Sequence, residues 1–246
     1  MKDRWLWKPL GEVCKTGSGG TPLRDKKEFY EGGTVPWIMS GEVSQGEVRK
    51  ASNFITQRGL DNSAARIFPK DTVLLAMYGA TAGQVGILRF EAATNQAVCG
   101  VFPNSHFVPE FLYYCLLSKK NELVAQATGN AQPNISQVKI KNTLVPIPSI
   151  PEQRRIVRIL DEAFEAIATA NANAEKNLQN ARALFESHLQ SVFTKNGKGW
   201  IKKTLNEVCQ FENGDRGRNY PKRSEYIESG IPWINTGHIE LDGTLS

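Results

Sequence analysis

The chain has 246 residues, 40% of them hydrophobic, enough for one full domain with a real core and for further elements. Its longest apolar runs, such as 72–77, are far too short to cross a bilayer, and the opening Met1-Lys2-Asp3-Arg4-Trp5 lacks the apolar region of a signal peptide, so a soluble cytoplasmic protein is expected. The net charge of +5 arises in residues 1–150, where 17 Lys and Arg face 12 Asp and Glu; this bias is compatible with a polyanionic partner and does not by itself establish one.

Residues 5–148 alternate short apolar runs, rich in β-branched and aromatic side chains, with Gly, Pro, Asn and Ser punctuation. Strands are predicted at 35–39, 72–78, 84–90 and 97–102. Val108-Pro109-Glu110-Phe111 opens a helical spacing of bulky residues that predicts a short helix over 108–117. The class is therefore α+β, a mainly-β domain with a few helices.

Three loops of this domain are rich in glycine and small polar residues: 16–22, 78–84 and 128–136. Ordinary turn chemistry accounts for such composition. The functional reading is that backbone amides approach phosphates while Gln, Asn, Ser and Thr reach base edges, with Arg24, Lys26, Lys27, Lys139 and Lys141 nearby to supply charge; composition alone favours the turn chemistry.

After Leu144-Val145-Pro146-Ile147-Pro148, the segment Ser149-Ile150-Pro151-Glu152 fits a capping box with proline in the first turn. A helix is predicted from there to Lys195-Asn196-Gly197, about 45 residues and roughly 65–70 Å at 1.5 Å per residue. Leu160, Phe164, Ile167, Ala170, Ala174, Leu178, Ala181, Phe185 and Val192 recur at steps of three and four, with longer gaps, the seam of a coiled coil. So long a helix with one apolar stripe calls for a partner, and Asn171 and His188 beside the seam read as tolerated polar positions. The charges of Pro151-Glu152-Gln153-Arg154-Arg155 read as docking rather than catalysis.

Beyond the helix the sequence begins again. Leu10-Gly11-Glu12-Val13-Cys14 returns as Leu205-Asn206-Glu207-Val208-Cys209, Trp5 and Lys8 as Trp200 and Lys203, Tyr30 as Tyr226, and Val35-Pro36-Trp37-Ile38 as Ile231-Pro232-Trp233-Ile234. Ordered blocks at nearly constant offset mark a repeated domain, of which the second copy holds only the opening third. The expected layout is 1–148 for the first domain, 149–197 for the spacer helix and 198–246 for the start of a second domain.

Enzyme classes find little support. There is no phosphate-binding GxxxxGK[ST] loop, no Asn or Asp followed by Pro-Pro and an aromatic residue, and no nucleophile, base and acid set around His106, His188 or His238. Cys14, Cys99, Cys115 and Cys209 are scattered without CxxC spacing, so buried free thiols are expected, with no metal and no cofactor. A coiled-coil interaction protein without DNA contact remains the rival, separable by salt-dependent binding to a specific duplex.

Taken together, Gly19-Gly20-Thr21-Pro22, Val35-Pro36-Trp37-Ile38, Tyr78-Gly79-Ala80-Thr81-Ala82-Gly83, Asn95-Gln96-Ala97, Gln132-Pro133-Asn134-Ile135-Ser136 and Pro146-Ile147-Pro148 followed by Pro151-Glu152-Gln153 resemble the specificity subunits of Type I restriction-modification systems. The resemblance covers essentially the whole chain. It implies two recognition domains of opposite orientation held apart by two antiparallel helices, each reading half of a split DNA target. Its implied partners are methyltransferase subunits, which use S-adenosylmethionine, and translocating restriction subunits. On this resemblance the candidate base readers are Thr21, Arg24, Tyr78, Thr81, Gln84, Gln132, Asn134 and Ser136, with Lys26, Lys27, Lys139 and Lys141 on phosphates. The candidate helix interface is Leu160, Phe164, Ile167, Ala174, Leu178, Ala181, Phe185 and Val192. A full-length member would continue through a second domain and helix; a truncated or split product and a homodimerising half-subunit both fit this sequence.

Overall fold

The structure is a computed structural model that describes residues 5–127, 133–195, 199–212, 222–227, 229–230, 234, 236–239 and 244–245. Among the described residues eleven strands run in chain order: β1 (Leu6–Pro9), β2 (Thr16–Ser18), β3 (Val35–Ile38), β4 (Glu47–Val48), β5 (Phe54–Ile55), β6 (Ile67–Phe68), β7 (Val73–Ala76), β8 (Val85–Leu88), β9 (Ala92–Thr94), β10 (Val98–Val101) and β11 (Leu144–Ile147). The helices are α1 (Leu10–Val13), α2 (Gln57–Asp61), α3 (Pro109–Ser118), α4 (Lys120–Ala125), α5 (Gln137–Asn142), α6 (Ile150–Thr194) and α7 (Leu205–Val208). Contacts divide the chain into two compact units, Met1–Gln179 and Asn180–Ser246.

In the first unit, a five-stranded sheet has the order β2-β10-β7-β8-β4 and a four-stranded sheet the order β5-β3-β9-β6, while β1 pairs antiparallel with β11. The apolar runs at 72–78 and 97–102 form the two middle strands, and their period of two divides them between two cores. Val73, Leu75, Met77, Cys99 and Val101 join Phe107, Phe111, Leu112 and Leu116 in one core. Leu74, Ala76 and Val98 turn the other way, to Ile38, Val48, Phe68 and Leu88. Both faces are covered, which is why these strands are continuously hydrophobic rather than alternating.

Residues 108–117 fold as the helix their spacing predicts, with Pro109 in the first turn. The long helix also forms, 45 residues without interruption. At its start Glu152 forms an ion pair with Arg155 (2.7 Å), so its carboxylate is occupied within the first turns. Gln153 is completely buried: its Nε2 donates to the carbonyls of His106 (2.8 Å) and Pro148 (2.9 Å), and its Oε1 accepts from Val108 N–H (2.8 Å). Ile156 and Val157 pack on the core beside it. The docking read into 151–157 thus includes contacts within the chain itself.

In the second unit the local structure of the first copy returns. α7 closes as α1 does, with Cys209 N–H on Leu205 O and Cys14 N–H on Leu10 O, both at 2.8 Å, and the two cysteines share an extended backbone. Short 3-10 helices recur, three residues each at Lys27–Phe29 and Arg223–Glu225, and six against three at Ser40–Gln45 and Thr236–His238. Burial does not return. Leu10 is fully buried, its N–H on Thr143 O (2.9 Å) and its side chain in one core with Ile140 and Val145, whereas Leu205 is 66% exposed. Cys209, in the same exposed turn, is exposed, against the expectation of a buried thiol, while Cys14 and Cys99 are buried and Cys115 is partly so. Burial pushes the thiol of Cys99 up to about 12 and that of Cys115 to about 11, which leaves both unreactive. The block 231–233 lies outside the described residues.

Candidate nucleic-acid interface

Strand register decides where the three loops go. β2 and β7 both run antiparallel to β10, with Ser18 opposite Cys99 and Ala76 opposite Val98, and β8 enters antiparallel to β7 with Val85 opposite Leu75. The segments that follow β2 and β7 and precede β8 and β10 therefore all leave the sheet at the same edge. Residues 133–136 are added to that edge: Ile135 N–H donates to Met77 O (2.8 Å), Gly79 N–H to Pro133 O (3.1 Å), and Tyr78 bridges to Asn134.

The first loop is pressed flat. Gly20 N–H donates to Thr94 O (2.9 Å), Trp37 Nε1–H to Gly20 O (3.0 Å), and Tyr30 Oη–H to Pro22 O (2.6 Å), with Tyr30 edge-on to Trp37. A Cβ on Gly19 would stand 2.1 Å from Thr94 O, so only glycine permits this approach. Thr21 is carried to the exposed Gln96, whose Oε1 accepts from the Thr21 hydroxyl. Arg24, Lys26 and Lys27 follow, all exposed, with Asp25 between them. Burial raises the Tyr30 hydroxyl above its usual value, with Arg24 opposing.

The second loop turns through Gly79 and Gly83, at φ +69° and +80°. Thr81 Oγ1–H donates to Tyr78 O (3.2 Å), Tyr78 is 39% exposed, and Thr81 and Gln84 are half-buried. In the third segment Asn134 and Ser136 are exposed, and Ser136 Oγ accepts from Lys139 N–H as the cap of α5. Thr21, Tyr78, Thr81, Gln84, Asn134 and Ser136 are thus gathered at one sheet edge, with Arg24, Lys26 and Lys27 trailing from the first loop. Lys139 and Lys141 do not join them: the Lys139 ammonium is drawn to Gln126 O, and Lys141 lies over Gly11 of α1. Gln132 lies outside the described residues.

Two residues at this edge were not singled out as site residues from the sequence. Gln96 stood within the Asn95-Gln96-Ala97 block. Arg66 had no sequence signal: its guanidinium forks onto Ser18 O (3.0 and 2.9 Å), putting a further exposed cation where β2 ends.

A separate polar cluster stands at the root of α6. Arg89 pairs with Glu47, Asp71 (2.9 Å) and Glu110 (2.6 Å) beside a cleft of about 560 Å³ that Tyr113, Tyr114 and Asp161 also line. Burial disfavours the Arg89 charge, but the carboxylates outweigh it and hold it protonated; Glu47 is lowered chiefly by its hydrogen bond to Arg89. Burial, then Asp161, raises Tyr114, which also stacks on Phe164 (5.7 Å). Past Phe164 the apolar stripe of α6 is uncovered: Ile167, Leu178, Phe185 and Val192 are all exposed, and so is Leu189 on the same face, which the heptad reading had passed over. Among the described residues no group of three His, Cys, Asp or Glu could hold a metal ion, and no helix is long and apolar enough to cross a membrane.

The fold is shared with solved structures. The HsdS subunit from Thermoanaerobacter tengcongensis superposes with a TM-score of 0.54 at 22% identity, over 69% of this chain and 39% of that one. A chain from a structure describing complex assembly and conformational transition of the type I R-M system gives 0.55 at 22% identity, over 78% and 44%. The chain belongs to the Type I restriction modification DNA specificity domain family, whose model matches residues 2–179. It is 29% identical to the Type I restriction enzyme EcoR124I/EcoR124II specificity subunit of Escherichia coli, over 76% of this chain and 48% of that protein. It is also 29% identical to the MjaIX specificity subunit of Methanocaldococcus jannaschii, over 96% and 58%. The chain spans about half the length of these curated relatives.

Proposed function

We propose that this chain is a non-catalytic DNA-sequence-specificity subunit of a Type I restriction-modification complex, acting in the cytoplasm. Its first domain, 1–148, reads one half of a split target; 149–197 is the spacer helix; 198–246 opens a second reader. The observation that carries the reading is the convergence of three small-polar loops on one sheet edge, with Arg24, Lys26 and Lys27 following the first, in a chain of this family. Polar side chains on closely spaced loops suit base edges, while Arg24, Lys26 and Lys27 supply the phosphate contacts that position a reader.

Catalysis belongs in this reading to methyltransferase and restriction subunits docked on the chain, and the chain needs no cofactor of its own. The uncovered stripe of α6 serves a second spacer helix, from another copy or a complementary fragment. About 67 Å of helix is close to two turns of duplex, so the helix sets the spacing between half-sites. The test is methylome sequencing of cells expressing the chain with its methyltransferase subunit. A split or palindromic motif that follows this chain when chains are exchanged is expected; methylation that ignores the exchange overturns the reading.

A further inference from the structure

The first loop holds in place a side chain that belongs to another segment. Gly20 N–H donates to Thr94 O (2.9 Å), the Trp37 indole donates to Gly20 O (3.0 Å) and the Tyr30 hydroxyl to Pro22 O (2.6 Å), so the backbone before and after Thr21 is tied down. The same loop lies flat against 64–65, where a Cβ on Gly20 would stand 2.2 Å from the carbonyl carbon of Ala64. The Thr21 hydroxyl therefore stands at a set place, and its one hydrogen goes to Oε1 of the exposed Gln96. That contact orients an amide. With Oε1 engaged by Thr21, the Nε2 amino group is the free end, with no partner among the described residues. Gln96 lies between β9 and β10, in the segment that enters β10 at the edge where the three loops meet.

We propose that Gln96 reads one base pair of the half-site as a hydrogen-bond donor, and that Thr21 is the positioning residue that selects this orientation. The inference deepens the proposed function and rests on it. A glutamine whose amide can turn either way suits adenine, offering Oε1 to the N6 amino group and Nε2 to N7. A glutamine held with only its amino group outward meets adenine donor against donor at N6. Guanine presents two acceptors in the major groove, O6 and N7, whereas thymine presents O4 alone beside a methyl group. The base selected is therefore guanine. Thr21, whose single donor is engaged by Gln96, contributes the choice between guanine and adenine rather than a base contact through that hydrogen.

The experiment measures binding of the full chain, in complex with its methyltransferase subunit, to duplexes in which each position of the target found by methylome sequencing is substituted in turn. Wild type is expected to prefer guanine over adenine at one position by roughly tenfold, the scale of one good base contact. Gln96→Ala abolishes that preference and leaves discrimination at the other positions intact. Gln96→Glu keeps the acceptor for Thr21 and turns a second acceptor outward, so cytosine or adenine, with their amino groups, displaces guanine at the same position. Thr21→Val frees the amide to turn, and adenine becomes as good as guanine there; Thr21→Ser restores the wild-type preference. Replacing that guanine by 7-deazaguanine, which lacks the N7 acceptor, weakens wild type and leaves Gln96→Ala unaffected. The proposal is overturned if Gln96→Ala leaves discrimination unchanged at every position, if wild type selects adenine where Gln96 acts, or if Thr21→Val weakens all duplexes alike instead of changing that one position. Each of those results, with wild type still discriminating among duplexes, leaves the proposed function standing. Wild type that binds every duplex equally sinks the proposed function, and this inference with it.

Discussion

Gln153 fastens the long helix to the body with three hydrogen bonds, and it does so in full burial. Gln153→Leu keeps the volume and strands two carbonyls and one amide, so unfolding stability is expected to fall by about 3 kcal/mol, read from denaturant midpoints. Arg89 plays a like part among carboxylates. Arg89→Met is expected to cost about 2 kcal/mol at neutral pH, less than for a fully buried network because Asp71 and Glu110 keep about a third of their surface and Glu47 more. Its pH dependence follows from Glu47, which Arg89 holds below the ordinary carboxylate value of 4.5. Stability from a depressed carboxyl is complete above the unfolded value and lost as pH falls through the folded one. The gap between wild type and Arg89→Met therefore narrows below about pH 4.5, and a gap constant from pH 7 to pH 3.5 would contradict this account. At the loop edge, Asn134→Ala is expected to relax discrimination at one base pair by about 1–3 kcal/mol while leaving stability unchanged, checked by binding to a panel of singly substituted duplexes.

At the scale of elements, the first loop depends on the absence of a side chain. Gly19→Ala would drive a Cβ into Thr94 O, so the loop must lift from the connection between β9 and β10 and carry Thr21 away from Gln96. The expected cost is about 1–3 kcal/mol, with loss of specific binding while the helical signal in circular dichroism stays. Gly41, around which there is open space and whose φ is not in the left-handed region, serves as the control site. α6 follows the opposite logic: its helical form is fixed locally by 45 residues without Gly and with Pro only in the first turn, whereas its anchoring is tertiary and ends near Phe164.

For the whole molecule, affinity for DNA is expected to be electrostatic in origin and to fall steeply with salt. Lys26→Ala and Lys27→Ala should each weaken binding to all sequences alike and reduce the slope of log affinity against log salt by about 1. Lys139→Ala should leave that slope unchanged, since its ammonium is drawn to Gln126 O. Filter binding from low to high salt checks both, and a slope that responds to Lys139 but not to Lys26 would reverse the assignment of the interface.

The sequence by itself determined what depends on neighbours along the chain. The middle strands at 72–78 and 97–102, the helix at 109–118, the long helix and its seam, and the repeat of Leu10–Val13 at Leu205–Val208 all rest on local periodicity, which hydrophobic burial must respect. Only the tertiary structure decided which loops meet. Antiparallel register brings 19–22, 78–84 and 133–136 to one edge from positions more than a hundred residues apart, and it places Arg66 beside Ser18 through a pairing that no spacing encodes. It also separated Lys139 and Lys141 from the basic residues they resemble, and gave two similar turns different exposure, Leu10 buried and Leu205 exposed. Secondary structure is a local choice; burial and convergence depend on what the rest of the chain covers.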